Sequence, residues 1–183
     1  FKDNKPWIKE TQTPQPRDWV YAKHKVTVEK HLSSLKNLNI INFRLCTVVG
    51  PSYYKKGGVV QTLANGKIGL KLDNKYSVAQ FIHEDDVKQI IEFTINDKKI
   101  NGTFNMCSDS YSILKDLEPN TIYIPFPKFL FKTIIALLWN LKIINISPTS
   151  VNLIAHPIVA SPDKLIDYFG YKFLYSTEEA YKD

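Results

Sequence analysis

Between Asp18 and Pro51 the chain changes hydrophobic period, and this change restricts the possible folds more than any other feature. Val26, Val28, His31, Leu32 and Leu35 recur at helical spacing behind Asp18, a capping residue type. The spacing predicts a helix from Asp18 to about Leu38, ended by Asn37 and Asn39. Two short β-branched runs, Ile40–Phe43 and Thr47–Val49, then flank Arg44 and stop at Gly50-Pro51. A helix leading into a short apolar strand is the unit from which α/β folds are built.

The same alternation continues downstream. Val59–Ala64 reads as a short helix, and Ile68–Leu72 and Ser77–Ile82 as strands about an Asp73-Asn74 turn. A helix over Glu84–Thr94 is expected to bury Val87, Ile90, Ile91 and Phe93 or Thr94. Asn101-Gly102 turns the chain into a strand at Thr103–Cys107, and Thr121–Ile124 reads as another. From Pro127 the pattern becomes helical: Phe129–Leu141 is strongly apolar, Pro148 opens a short helix through Ile154, and Ser161-Pro162-Asp163 opens one ending near Gly170. The stretch Phe129–Ile146 approaches membrane-spanning length, but Lys132, Asn140, Lys142, Asn145 and the Ile143-Ile144 pair interrupt it. It is expected to be a buried or peripherally docked helix, and no membrane span is predicted.

At 183 residues and 44% hydrophobic, the chain can build one ordinary domain. Its first residue is Phe1, and the polar, proline-bearing opening Phe1–Arg17 lacks periodicity, so the natural start is expected upstream. The net charge of +6 comes from lysines scattered from Lys2 to Lys182, with Lys55-Lys56 and Lys98-Lys99 the only adjacent pairs. Nucleic-acid binders concentrate charge where phosphates lie, so no nucleic-acid partner is expected. Cys46 and Cys107 offer neither a disulfide framework nor metal-ligand spacing; a reducing cytoplasmic setting and no metal site follow as expectations.

Tyr21-Ala22-Lys23-His24-Lys25 is the pentapeptide that suggests chemistry. Tyrosine and lysine four apart share one helix face. An ammonium close to a phenol favours the phenolate, a pairing suited to general acid/base work at a substrate hydroxyl or carbonyl. In a chain with ten tyrosines this spacing carries little weight alone: Tyr111/Lys115 and Tyr168/Lys172 repeat it, one in a turn-rich stretch and one straddling Gly170. Only Tyr21/Lys25 falls early in a well-formed predicted helix.

Order along the chain adds specificity. The run Tyr21–Lys25, then Glu29, then Asn42-Phe43-Arg44-Leu45 leading to Val48-Val49-Gly50-Pro51, then Gln80 to Val87, then Gly102-Thr103-Phe104-Asn105, resembles the extended or atypical short-chain dehydrogenase/reductases, the NAD-dependent epimerase/dehydratase family. The ending from Lys164 to Lys172, followed by Tyr175 to Ala180, is similar to that family's usual close. Only the carboxy-terminal part is matched. The resemblance implies an α/β fold, specifically the carboxy-terminal part of a Rossmann-type doubly wound parallel sheet with a smaller α/β substrate-binding subdomain. Residues 1–50 would end the Rossmann domain and carry its catalytic helix. Residues 51–183 would be mainly the substrate-binding subdomain, built from about Pro51–Leu72 and Tyr111–Ile154, with 73–107 returning to the sheet.

Carried over by position, the resemblance implies Tyr21 as catalytic acid/base and Lys25 as its tuning partner and ligand of the nicotinamide ribose. Leu45, Cys46 and Thr47 would line the nicotinamide pocket. His83 would lie near its floor, with a satisfied histidine at a strand end as the alternative. Asp86 reads better as a helix N-terminal or structural carboxylate. The implied cofactor of the intact protein is NAD or NADP, and the activity that of an oxidoreductase, epimerase or dehydratase acting by hydride transfer on a sugar-type or small carbonyl/alcohol substrate. The alternative is a non-catalytic or degenerate member serving as a structural partner module.

Several family features are missing or altered. None of the seven glycines makes the Gly-x-x-Gly-x-x-Gly phosphate turn, and the catalytic serine or threonine would fall before Phe1. Ala79 stands where sugar-nucleotide epimerases usually carry an arginine for the substrate pyrophosphate, Leu45 where proline is common, and Glu84 where valine is. The chain alone is expected to bind NAD(P) poorly and not to turn over. Its partners are expected to be a small-molecule substrate and an amino-terminal Rossmann half. Without that half, an exposed apolar surface would favour a homodimer.

Overall fold

The computed structural model describes residues 5–16, 19–54, 68–97, 99–145, 147–156 and 158–183. Asp18 and the segment Val59–Ala64 lie outside the described residues. In chain order the elements are α1 (Val20–Ser34), β1 (Ile41–Leu45), β2 (Thr47–Val49), α2 (Pro51–Tyr54), β3 (Ile68–Leu72), β4 (Val78–Ala79), β5 (Phe81–His83) and α3 (Glu84–Asn96). Then follow β6 (Gly102–Met106), β7 (Ser112–Ile113), α4 (Leu114–Leu117), β8 (Ile122–Phe126), α5 (Lys128–Asn140), a 3₁₀ turn (Pro148–Ser150), α6 (Val151–Ala155), α7 (Asp163–Phe169) and α8 (Thr177–Lys182).

Parallel pairing dominates. β1 pairs β6 with Ile41 opposite Gly102, β2 pairs β5 with Val49 opposite His83, and β3 pairs β8 with Ile68 opposite Ile122; among the described strands only β4 and β7 run antiparallel. Parallel strands need helical crossovers and coverage on both faces. The core reflects this: Ile82, Ile90, Ile100, Phe104, Met106, Leu165 and Tyr171 form one buried cluster joining β5, α3, β6 and α7. A second cluster, Val49, Phe81, Leu117, Ala180 and Tyr181, seats α8 against β2 and β5.

α3 shows how sequence sets placement. Three carboxylates, Glu84, Asp85 and Asp86, occupy its first turn, at the positive end of the helix dipole. Asp86, Ile90 and Thr94, four residues apart, form its buried stripe. The predicted buried face is therefore corrected: Ile91 and Phe93 are exposed and Val87 is only half-buried.

Other boundaries shift for local reasons. α1 stops at Ser34, where Ser33 and Ser34 donate hydroxyl hydrogen bonds back to Glu29 O and His31 O. Arg44 lies inside β1, paired opposite Asn105. The segment predicted as one strand over Ser77–Ile82 is broken at Gln80 into β4 and β5. Asp73 and Asn74 do turn the chain, both with left-handed φ (50° and 61°), yet β3 does not pair with β4; it pairs in parallel with the distant β8. α8 carries a capping box, Ser176 with Glu179, a sequence signature the periodicity reading passed over.

Candidate active site

α1 contains no glycine or proline and runs uninterrupted for 15 residues. Tyr21 stands in its first turn, 57% exposed, with the Trp19 ring tilted against it at 5.1 Å. Lys25, one turn on, holds its Nζ 5.3 Å from the Tyr21 ring centroid, over the ring face. The helix is fixed to the sheet farther along. Arg44 Nε donates to Glu29 Oε2 at 3.1 Å, Nη2 donates to Glu29 Oε1, and Nη1 donates to Glu10 O at 3.3 Å. A guanidinium presents its donors in a planar fork, which makes this two-point grip possible. Tyr21 stands about two turns before Glu29 on the same helix, and Leu45, Cys46 and Thr47 follow Arg44 at the carboxyl end of β1, the end at which ligands bind in open α/β sheets.

At this end, Leu45 is half exposed, Thr47 is exposed, and Cys46 donates its backbone N–H to Met106 O at 3.2 Å. Burial pushes the Cys46 thiol up to about 12, which keeps it protonated at neutral pH. Gly50, with φ 143°, closes β2; a Cβ there would lie 2.6 Å from Glu84 Cγ. Glu84 Oε1 accepts the Ser52 N–H at 3.1 Å, so this carboxylate anchors the start of α2.

His83 is fully engaged within the chain. Its Nδ1 accepts the Asp85 N–H at 3.1 Å, Nε2 lies 3.1 Å from Asp183 Oδ2, and its ring packs on Tyr175 at 4.0 Å. These partners assign the proton to Nε2. Asp86 is buried at the start of α3, accepting from Tyr171 Oη–H at 2.7 Å and from the Leu174 N–H at 2.8 Å. Burial, then the Asp86 carboxylate, push the Tyr171 phenol upward. Asp86 is thus a structural carboxylate.

Two residues that the sequence reading left without a role hold the site's framework. Gln80, buried, donates to Ser108 O and Ala160 O and accepts the Ala160 N–H, each at 2.8 Å. Asn105, also buried, donates its side-chain amide to Ile8 O and Ser161 O, and its N–H to Glu10 Oε1 at 2.7 Å. A polar side chain in the middle of an apolar strand was the available signal in both cases. Ala79, paired opposite Ser112 in β4, leaves no guanidinium at that position. An open hollow of about 630 Å³ lies between residues 9–11 and α7, with neither Tyr21 nor Lys25 on its wall.

No family model matches the sequence, and no curated protein matches it. Solved structures do match. A functionally unknown conserved protein from Silicibacter pomeroyi superposes with a TM-score of 0.69 at 17% identity, over 97% of this chain and 59% of that one. ADP-L-glycero-D-manno-heptose-6-epimerase from Helicobacter pylori gives 0.66 at 17% identity, over 99% of this chain and 54% of its own. The enzyme WbmG of Bordetella bronchiseptica, in complex with NAD and UDP, gives 0.62 at 15% identity, over 96% and 56%. The chain therefore spans somewhat more than half the length of the structures it matches. At these identities the likeness is one of fold: the chain has a Rossmann-type α/β fold that matches part of each of these structures.

Proposed function

We propose that the chain is the part of an NAD(P)-dependent epimerase- or reductase-like oxidoreductase that carries the proton-transferring residue, completed by a dinucleotide-binding half. The observation that carries this reading is the placement of Tyr21 and Lys25. They occupy successive turns of a helix that Glu29 and Arg44 tie to β1, the strand from which Leu45, Cys46 and Thr47 emerge. The epimerase-type folds of the matched structures agree with it.

The residues present fit a nicotinamide nucleotide. Thr47 and Lys25 are exposed, so a hydroxyl and an ammonium are open to a ribose and a carboxamide. The bound cofactor would supply the hydride chemistry. Tyr21 moves the proton on the substrate oxygen, and Lys25 holds charge beside it. Leu45 and Cys46 exclude water from one wall. His83 supports the floor through its cap on α3. An epimerase, a dehydratase and a simple reductase share this first step, and the substrate class is a sugar-type or small carbonyl/alcohol compound. With Ala79 in place of an arginine, a substrate lacking a pyrophosphate is favoured. We assign β3, β8, α5 and α6 to the substrate-binding subdomain, 1–50 and 73–107 to the Rossmann part, and the protein to the cytoplasm, where its two free cysteines stay reduced.

Titration of NAD(H) and NADP(H) into the complete protein tests this: one of the pairs binds, and Tyr21→Phe lowers turnover by about a hundredfold or more once a substrate is found. Absence of binding by a folded protein rejects the reading. A second reading, the non-catalytic partner module, draws on the Lys25 ammonium lying over the Tyr21 ring and not at its hydroxyl. Cofactor binding with turnover unchanged in Tyr21→Phe would favour a redox protein that does not use this pair.

A further inference from the structure

Three elements meet at the start of α5. Asp73, in the turn that follows β3, accepts the Lys128 N–H through Oδ1 at 2.9 Å, and Lys128 is the first residue of the helix. The Lys128 side chain reaches on to the end of α6, where its Nζ lies 2.7 Å from Nε2 of His156. Lys128 and His156 are both half-buried, and no residue of α5 is buried. A helix with so shallow a seat depends on polar ties at its ends. Here one lysine supplies two of them, one from its backbone and one from its ammonium.

The second tie exists in only one protonation state. An ammonium carries three donors and no acceptor, so Nε2 of His156 must receive the hydrogen bond with its lone pair. A proton on that nitrogen would set N–H against N–H and bring two positive charges to 2.7 Å. The surroundings do not offset this. Lys128 acts on the imidazole from α5, and Asp73 and Lys75 act on it from the turn after β3. The 3₁₀ turn and α6 carry no ionisable side chain. Among the described charges around His156, two ammonium groups outnumber one carboxylate, and that carboxylate is already engaged by the Lys128 N–H. Burial first, then Lys128, with Lys75 adding to it, hold His156 below its ordinary value of 6.5 against the pull of Asp73.

We propose that Asp73, Lys128 and His156 form an acid-released clasp: neutral His156 ties the start of α5 to the end of α6, and protonation of His156 opens the tie. The clasp is a two-state side-chain contact biased by a single proton. Held below its ordinary value, His156 contributes stability in full above 6.5 and loses it as pH falls through the folded value. Mild acid therefore loosens α5 against α6 and leaves the core around β5 and β6 closed. The clasp does not depend on the redox reading; only its consequence, a substrate-binding side that opens in acid, rests on the subdomain assigned there.

Proton NMR of the imidazole Cε1–H tests the clasp, with His156→Gln identifying the resonance. His156 is expected to titrate below 6.5 and to move toward that value in Lys128→Met. Amide exchange reads the tie itself: protection factors in the first two turns of α5 should fall about fivefold or more between about pH 7.5 and about pH 5.5, with β6 unchanged. Glutamine offers Lys128 an acceptor that does not titrate, so His156→Gln should abolish the fall. A His156 midpoint at or above 6.5 in the parent overturns the proposal. So does α5 protection that ignores pH, or the same fall in His156→Gln.

Discussion

The region around β5, β6, α3 and α7 and the helices α1 and α5 are built on opposite principles. The first closes on itself: Phe104, Ile82, Ile90 and Leu165 are essentially inaccessible, and even its polar members Gln80, Asn105 and Asp86 find partners within the chain. α1 and α5, 15 and 13 residues long, have no buried residue between them. α1 is held by the Glu29–Arg44 ion pair and the half-buried Ala22, Val26 and Leu32, and α5 by the half-buried Phe131, Ile135 and Leu138. A chain that spends apolar residues without burying them is shaped for contact with something else, and the two helices face that need with different chemistry. α1 presents Tyr21 and Lys25; α5 presents leucines, isoleucine and lysine.

The contrast is open to measurement. Leu165→Ala, in the closed region, should cost about 2–5 kcal/mol, while Val28→Ala, on the exposed side of α1, should stay within about 0.5 kcal/mol by urea denaturation. Equal costs would mean that α1 is covered by another part of the complete protein. Glu29→Ala leaves the Arg44 fork without its carboxylate and should cost about 1–2 kcal/mol. Amide exchange should accelerate in α1 and leave β6 protected; a uniform increase would show the two regions to be one cooperative unit.

The smallest effect belongs to the α8 cap. Ser176→Ala should cost about 1 kcal/mol. The cap also sets a pH dependence: the Ser176 N–H and hydroxyl hold the Glu179 carboxyl below its ordinary value of 4.5. A depressed carboxylate contributes stability in full above that value and loses it as pH falls through its folded pKa. Thermal melts of parent and Ser176→Ala should therefore converge on acidification below 4.5 and stay apart at neutral pH.

What the sequence made legible follows from range. α1, α3, α5 and α7 could be read from period and punctuation because helices are local objects, and Tyr21 and Lys25 share a face by spacing alone. Pairing was harder to read. The Asp73-Asn74 turn looks the same whether the flanking strands form a hairpin or, as here, β3 crosses to β8 some 50 residues on. The buried stripe of α3 runs through Asp86, whose Oδ1 accepts from Tyr171 and Leu174, and a hydrophobic pattern cannot anticipate hydrogen bonds supplied from 85 and more residues away. The same limit hid the Arg44–Glu29 grip and the roles of Gln80 and Asn105, whose polar atoms serve contacts that only the folded chain brings together.

The contacts of Glu10 and Asn105 have a mechanical meaning. Asn105 joins Ile8 to Ser161, Glu10 joins Asn105 to Arg44, and Arg44 joins Glu29, so the segment before α1, the crossing at 159–161 and α1 itself are strung on one line of hydrogen bonds. Asn105 in β6 is the point at which these stretches meet, so the placement of each depends on one buried side chain.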